Sequence, residues 1–476
     1  VYESIRGYRC ITDVKTPIGG HETVRYLDPG HGLPGSSGRQ NLPRVTHHLV
    51  DPGFGQPVVE TVYTYSDRNF LGNGAAISWA DDGLDNLYKA PSGYDYWSRT
   101  EVKAVKDGKE TVRSVARTFN RFHLLTEEVT QQNHCVQSVS TTYHSVDDSF
   151  GNQPPQFQLP KSVRTRWTLD SDPTRYRDET VVTEFDTHGN PTLETQPSGV
   201  STHFTYYPKE GEGVDCPADP EGFVRSLRET KLAPAPTGEP GAPVLLTRYR
   251  YRALDPVTGA TAKPWLVISR ENVSEDLSGG PKELQVTAYD YFEEPDNLFL
   301  HGRMKSLSLV FNGHQTLTTY DYGTSAVRGS RAAEAVQRTV ETITGFDGEQ
   351  KTTTLEHSLF NAQPLLTRDN NDVEIRYTYD ALNRVLTETV APDDPKYEAT
   401  RSYAYALTSV DGQQAQQTVT DVKNVTVRTR VDGLNRVVYE ERQAADAVAP
   451  FAAGTKAAAF YQTYAASHDV FGNLAS

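Results

Sequence analysis

The chain has 476 residues, 36% of them hydrophobic, and a net charge of −15 from 47 basic against 62 acidic side chains. An acidic chain without a basic run argues against nucleic acid as a partner, because that binding rests on neutralising phosphates. No stretch approaches the ~18 consecutive apolar residues of a membrane-spanning helix. The cysteines Cys10, Cys135 and Cys216 lie far apart without a CxxC spacing, which argues against a zinc knot and a disulfide scaffold.

The 26 tyrosines beside a single methionine, Met304, lean the composition toward all-β, since tyrosine suits a pleated, half-wet surface. No charged-then-apolar leader opens the chain. It begins at Val1, which reads as a piece of a longer protein.

In chain order, GHETVRYLDPGHG (20–32) brings His21, Glu22 and His31 together. A zinc-protease helix needs histidines at i and i+4. Here they are ten apart amid Gly and Pro, so a loop is expected. The Gly-, Pro- and Ser-dense run 27–43 reads as a long loop. VTHHLV (45–50) reads as a strand with His47 and His48 on opposite faces. VVETVYTY (58–65), ETVRSVARTF (110–119), VSTTYHSV (139–146), LTRYRYRAL (246–254) and LQVTAYDYF (284–292) alternate as strands bounded by turn residues. DDGLDN (81–86, with Asp81, Asp82 and Asp85) and DNND (369–372) lack the EF-hand frame and read as turns.

The runs 207–222, 231–243 and 274–283 read as loops. Residues 445–466 are rich in alanine, but Pro450 and Gly454 favour a loop with a short helical turn. The best boundary lies at the Gly/Pro-rich stretch 207–245, between β regions 1–206 and 246–476 of one continuous repeat architecture. No GxSxG, P-loop or helix-opening GxGxxG occurs, so neither an enzyme nor a cofactor nor a metal site is expected.

One unit recurs. RYTYDALNRV (376–385) places Tyr377, Tyr379, Asp380, Asn383 and Arg384 where RTRVDGLNRV (428–437) places Val431, Asp432, Asn435 and Arg436. Looser copies hold Phe185, Asp186, Gly189 and Asn190, and again Asp469, Gly472 and Asn473. Clean intervals of 19 and 21 residues separate Phe360 from Tyr379 and Phe185 from Tyr206. A unit of that length holds about two strands and gains stability only by stacking on others. Asp380 is expected to start a turn by accepting backbone N–H bonds, Asn383 to take positive φ, and Arg384 to open the returning strand. Tyr377 and Tyr379 share one face and Thr378 the other. The exchange of Tyr379 for Val431 or Phe185 between copies marks a packing residue rather than a catalytic one.

These repeats resemble the YD repeat of the RHS (rearrangement hot spot) family. Residues 59–102 look like the middle region of large bacterial RHS-repeat proteins related to the Tc toxins. The resemblance implies a long curved antiparallel β-sheet ribbon spiralling into part of a hollow shell. It further implies a non-enzymatic role, enclosing a C-terminal toxic domain of a polymorphic toxin before delivery. The partners would be that toxin domain and neighbouring shell segments, and the protein would be secreted or delivered by a bacterial export system. The family's C-terminal core motif DPxGxxGG…NxYxYxxNP is absent from this sequence, which reads as an internal segment. A cell-surface adhesion or carbohydrate-binding YD-repeat module is the alternative, with carbohydrate as partner.

Overall fold

A computed structural model describes residues 1–106, 109–236, 241–325, 335–407, 414–444 and 460–475. The protein is all-β, with no α-helix among the described residues. The alternating Val, Thr and Tyr runs form strands. Gly, Asn and Asp clusters reverse the chain between them, and the strands pair antiparallel with their sequence neighbours. Contacts divide the chain into two compact units, Val1–Val182 with Ala404–Ser476, and Thr183–Tyr403.

In the first unit the meander runs from Asp13–Lys15 through His21–His31, Leu42–Asp51, Val59–Tyr65, Asp95–Lys106, Lys109–Asn120, Leu125–Gln132 and Cys135–Tyr143 to Pro160–Leu169. It resumes with Ala415–Thr420, Thr426–Val431, Val437–Gln443 and Phe460–Ala465. Its two chain segments meet turn to turn. The Gly433 N–H donates to the Pro52 carbonyl at 2.8 Å. The Gln56 side chain accepts from the His468 N–H at 2.9 Å. An excursion between Tyr65 and Asp95 folds over a small apolar cluster of Leu87, Ala90 and Tyr94. In the second unit the sheet runs from Pro191–Thr195 and Ser201–Tyr206 through Leu227–Ala233, Leu245–Leu254, Trp265–Leu277, Gly280–Tyr291, Met304–Phe311, His314–Ser325, Val336–Thr344, Gln350–Ser358, Pro364–Arg368 and Glu374–Tyr379 to Val385–Val390 and its partner Ala399–Ala406.

Burial is thin on both sides of these strands. Every residue of Pro191–Thr195, Glu374–Tyr379, Val385–Val390 and Thr426–Val431 is half-buried, neither core nor open. The accessible area is 27875 Å2 for 52.8 kDa. A compact monomer of that mass exposes about 17,700 Å2.

Several loop expectations are corrected. Residues 20–32 and the start of 27–43 are strand, not loop. His21–His31 pairs with Leu42–Asp51, and a bulge between Leu27 and His31, with Gly30 at φ 81°, absorbs the Pro-Gly step. Residues 274–283 are a hairpin, with Leu277 opposite Gly280 across a two-residue turn. The first three residues of 231–243 complete a strand, Leu227–Ala233, that lies between two partners. Of 445–466, residues 445–459 lie outside the described residues, and Phe460–Ala465 is a strand rather than a helical turn. In each case a neighbouring strand supplies hydrogen bonds that local composition does not reveal.

Candidate functional site

The recurring turn has one geometry. At Asp380 the carboxylate Oδ1 accepts the N–H groups of Leu382 and Arg384, both at 2.9 Å. The Asp380 N–H donates to the Arg384 carbonyl, and the Asn383 N–H to the Asp380 carbonyl. Asn383 takes φ 63°. This is a type I turn followed by a left-handed residue, the three-residue hairpin loop. The second carboxylate oxygen accepts from Arg384 Nε at 2.7 Å. Asp432 repeats every bond, with Leu434 at 2.9 Å, Arg436 N–H at 3.0 Å and Arg436 Nε at 2.8 Å; Asn435 takes φ 61°. Asp186 and Asp469 use Asn190 and Asn473 as the side-chain donor, each at 3.1 Å, with Gly189 and Gly472 at positive φ. The sequence reading placed the Asp and the positive-φ residue. It did not see that Arg384 and Arg436 clamp the aspartate.

The same turn also occurs where sequence reading passed over it. Asn120 accepts from Phe122 and Leu124, with His123 at φ 61°. Asp219 accepts from Glu221 and Phe223, with Gly222 at φ 78° and Arg225 Nε on its other oxygen at 2.7 Å.

The residue before the turn sits at a bulge. Register shifts fall between Thr378 and Tyr379 and between Arg430 and Val431, and the same shift occurs away from these turns between Thr142 and Tyr143 and between Asp290 and Tyr291. Where the residue at the shift is tyrosine, its hydroxyl reaches across to another strand's end. Tyr379 donates to the Pro364 carbonyl at 2.6 Å, Tyr143 to Leu125 at 2.8 Å and Tyr291 to Ile268 at 2.9 Å. Phe185 and Val431 keep the packing and lack the hydroxyl. Tyr377 lies half-buried in the strand Glu374–Tyr379, and on the other face Thr378 pairs its hydroxyl with Thr387 at 2.6 Å.

Burial opposes ionisation of Asp186 and Asp469, yet the turn bonds hold both carboxyls below their usual range. The Arg384 N–H does the same for Asp380, as does the Val425 N–H for Asp421.

The histidine and carboxylate clusters resolve into ordinary pairs. His21 contacts Asp13 at 2.5 Å and His48 contacts Glu22 at 2.8 Å, while His47 meets Thr46. Asp81 pairs with Arg39, Asp82 with Lys89, and Asp85 caps the short 3-10 turn Asn86–Lys89. Asp369 anchors a turn with Asp372 at φ 60°. No metal-binding group of three or more ligands occurs among the described residues.

Two cavities stand out. One of about 270 Å3 in the first unit is lined by rings, including His31, Tyr65, Tyr96 and Trp97. Burial, reinforced by the Arg44 charge, lowers the His31 pKa to about 4. The other, of about 690 Å3 in the second unit, is lined by charged side chains including Arg248, Arg250 and Arg270.

Fold and turn together define a class: an all-β meander of aspartate-anchored hairpins. No family model and no curated protein matches the sequence. Among solved structures, the chain is similar to the crystal structure of TcdB2-TccC3, at 12% identity and a TM-score of 0.25, over 99% of this chain and 27% of that one. It is also similar to the form without the hypervariable C-terminal region, at 10% identity and a TM-score of 0.29, over 99% and 23% of the respective chains. The structure of TcdB2-TccC3-Cdc42 scores the same, over 98% and 23%. The chain thus spans about a quarter of the length of the proteins it matches.

Proposed function

We propose that this protein is a length of wall: a non-enzymatic RHS-type β-ribbon that helps to enclose a toxic C-terminal polypeptide. The carrying observation is a set of strands half-buried on both faces, Pro191–Thr195, Glu374–Tyr379, Val385–Val390 and Thr426–Val431, joined by one repeated hairpin turn. A catalytic or ligand-binding β-domain ordinarily closes over a packed core. Here the side chains that recur do mechanical work, bending the chain at Asp and tying strands through Tyr hydroxyls. On this reading the partners are neighbouring wall segments and the enclosed polypeptide, and the protein is exported from a bacterium.

The test is limited proteolysis of the full-length polypeptide recovered with its flanking coding sequence. Protection of a downstream domain, lost when the wall is opened by denaturant, is expected. Equal cleavage of that domain before and after opening overturns the proposal. A second reading, carbohydrate binding, draws on the ring-lined cavity at His31, Tyr65, Tyr96 and Trp97, since aromatic faces stack on sugars. A glycan array without signal above background removes it.

A further inference from the structure

The cavity of about 690 Å3 lies over the strands Leu227–Ala233, Leu245–Leu254 and Trp265–Leu277. Its acidic side chains are already engaged. Glu229 bonds Arg248 at 2.7 Å, Asp215 bonds Arg250 at 2.9 Å, and Glu283 accepts from Asn272 at 2.7 Å. Arg270 lines the same cavity and has no ion-pair partner among the described residues. Its register places it directly opposite Arg250. Like charges directly opposite on paired strands repel. The arrangement is notable in a chain with 62 acids against 47 bases.

We propose that this cavity is a binding site for a phosphorylated or sulfated small molecule, with Arg270 as its principal anion donor and Arg250 beside it. An oxyanion between the two guanidinium groups removes their repulsion and satisfies Arg270. A planar guanidinium offers paired N–H groups to such an oxyanion. A tetrahedral oxyanion has oxygens enough for both forks. The volume exceeds a bare ion and falls in the ~300–1,000 Å3 range of small-molecule sites, so the ion is carried on a larger body. Tyr207 lines the same space, its hydroxyl donating to the Tyr249 carbonyl at 2.8 Å. This site is independent of the wall reading.

The test is calorimetric titration of the intact chain at constant ionic strength with glucose 6-phosphate, inorganic phosphate and glucose. Glucose 6-phosphate is expected to bind at one site, at least tenfold more tightly than inorganic phosphate, with glucose silent. Arg270→Gln is expected to weaken it at least tenfold, and Arg9→Gln, outside the cavity, to leave it unchanged. Arg270→Gln removes a repulsion, so without ligand its melting temperature should be equal to or above that of the parent, which separates lost binding from lost fold. No binding, equal affinity in Arg270→Gln, or equal affinity for glucose overturns the proposal. Equal affinity for inorganic phosphate overturns the carried-ligand part and leaves a bare-ion site.

Discussion

At the residue scale, the aspartate of each turn has a different exposure and so a different leverage. Asp432 is fully buried and holds Arg436, whose side chain is 17% exposed. Asp432→Ala strands that guanidinium and two N–H donors. Removing one partner of a buried pair costs about 3–5 kcal/mol, and urea unfolding should read a loss of that size. Asp380 makes the same bonds nearer to solvent, so Asp380→Ala should cost clearly less in the same assay. Positive φ adds a second residue-level test. Asn383→Val puts a β-branched residue at φ 63° and should destabilise by about 1–2 kcal/mol, whereas Asn383→Gly should be nearly neutral. The anchor and the left-handed residue were legible at Asp380 and Asn383, because each follows from local backbone chemistry. The Arg384 clamp was not, because an arginine after a turn has many partners and only the folded chain selects one.

At the element scale, the turns and the His31 strand set how the sheet answers to acid. The folded pKa values of Asp186, Asp380, Asp421 and Asp469 are lowered. Their stabilisation is present above the unfolded carboxylate pKa of about 4 and is lost as pH falls through the lower folded values. His31 acts in a higher window. With its folded pKa lowered to about 4 against about 6.5 unfolded, folding favours the neutral ring. Its contribution is complete above that unfolded value and drains away as pH falls toward 4. Thermal melts between pH 7 and 4 should show a falling midpoint, and His31→Phe should flatten that slope. The strand containing His31 was itself hidden from sequence reading. Pro29 and Gly30 signal a loop, and only pairing with Leu42–Asp51 overrides them.

At the scale of the molecule, backbone contact matters where side chains do not. A Cβ on Gly433 would stand 2.3 Å from Gly20 Cα and 3.0 Å from the Pro52 carbonyl oxygen. Gly433→Ala should therefore part the junction between the two segments of the first unit and lower its melting temperature. Hydrogen exchange should report the opening at Gly433 and His468, whose N–H groups bond Pro52 and Gln56. Net charge makes a broader prediction. With an isoelectric point near 5.4, light scattering should find a solubility minimum close to that pH.

The sequence by itself determined the strands' alternation, the turns at Asp186, Asp380, Asp432 and Asp469 and the all-β class, because these depend on neighbours a few residues apart. Tertiary structure decided which carbonyl Tyr379 reaches, why position 433 admits only glycine, and that Arg270, opposite Arg250, has no ion-pair partner among the described residues. Those outcomes depend on residues distant in the chain meeting across strands, and local composition carries no record of the distance between them.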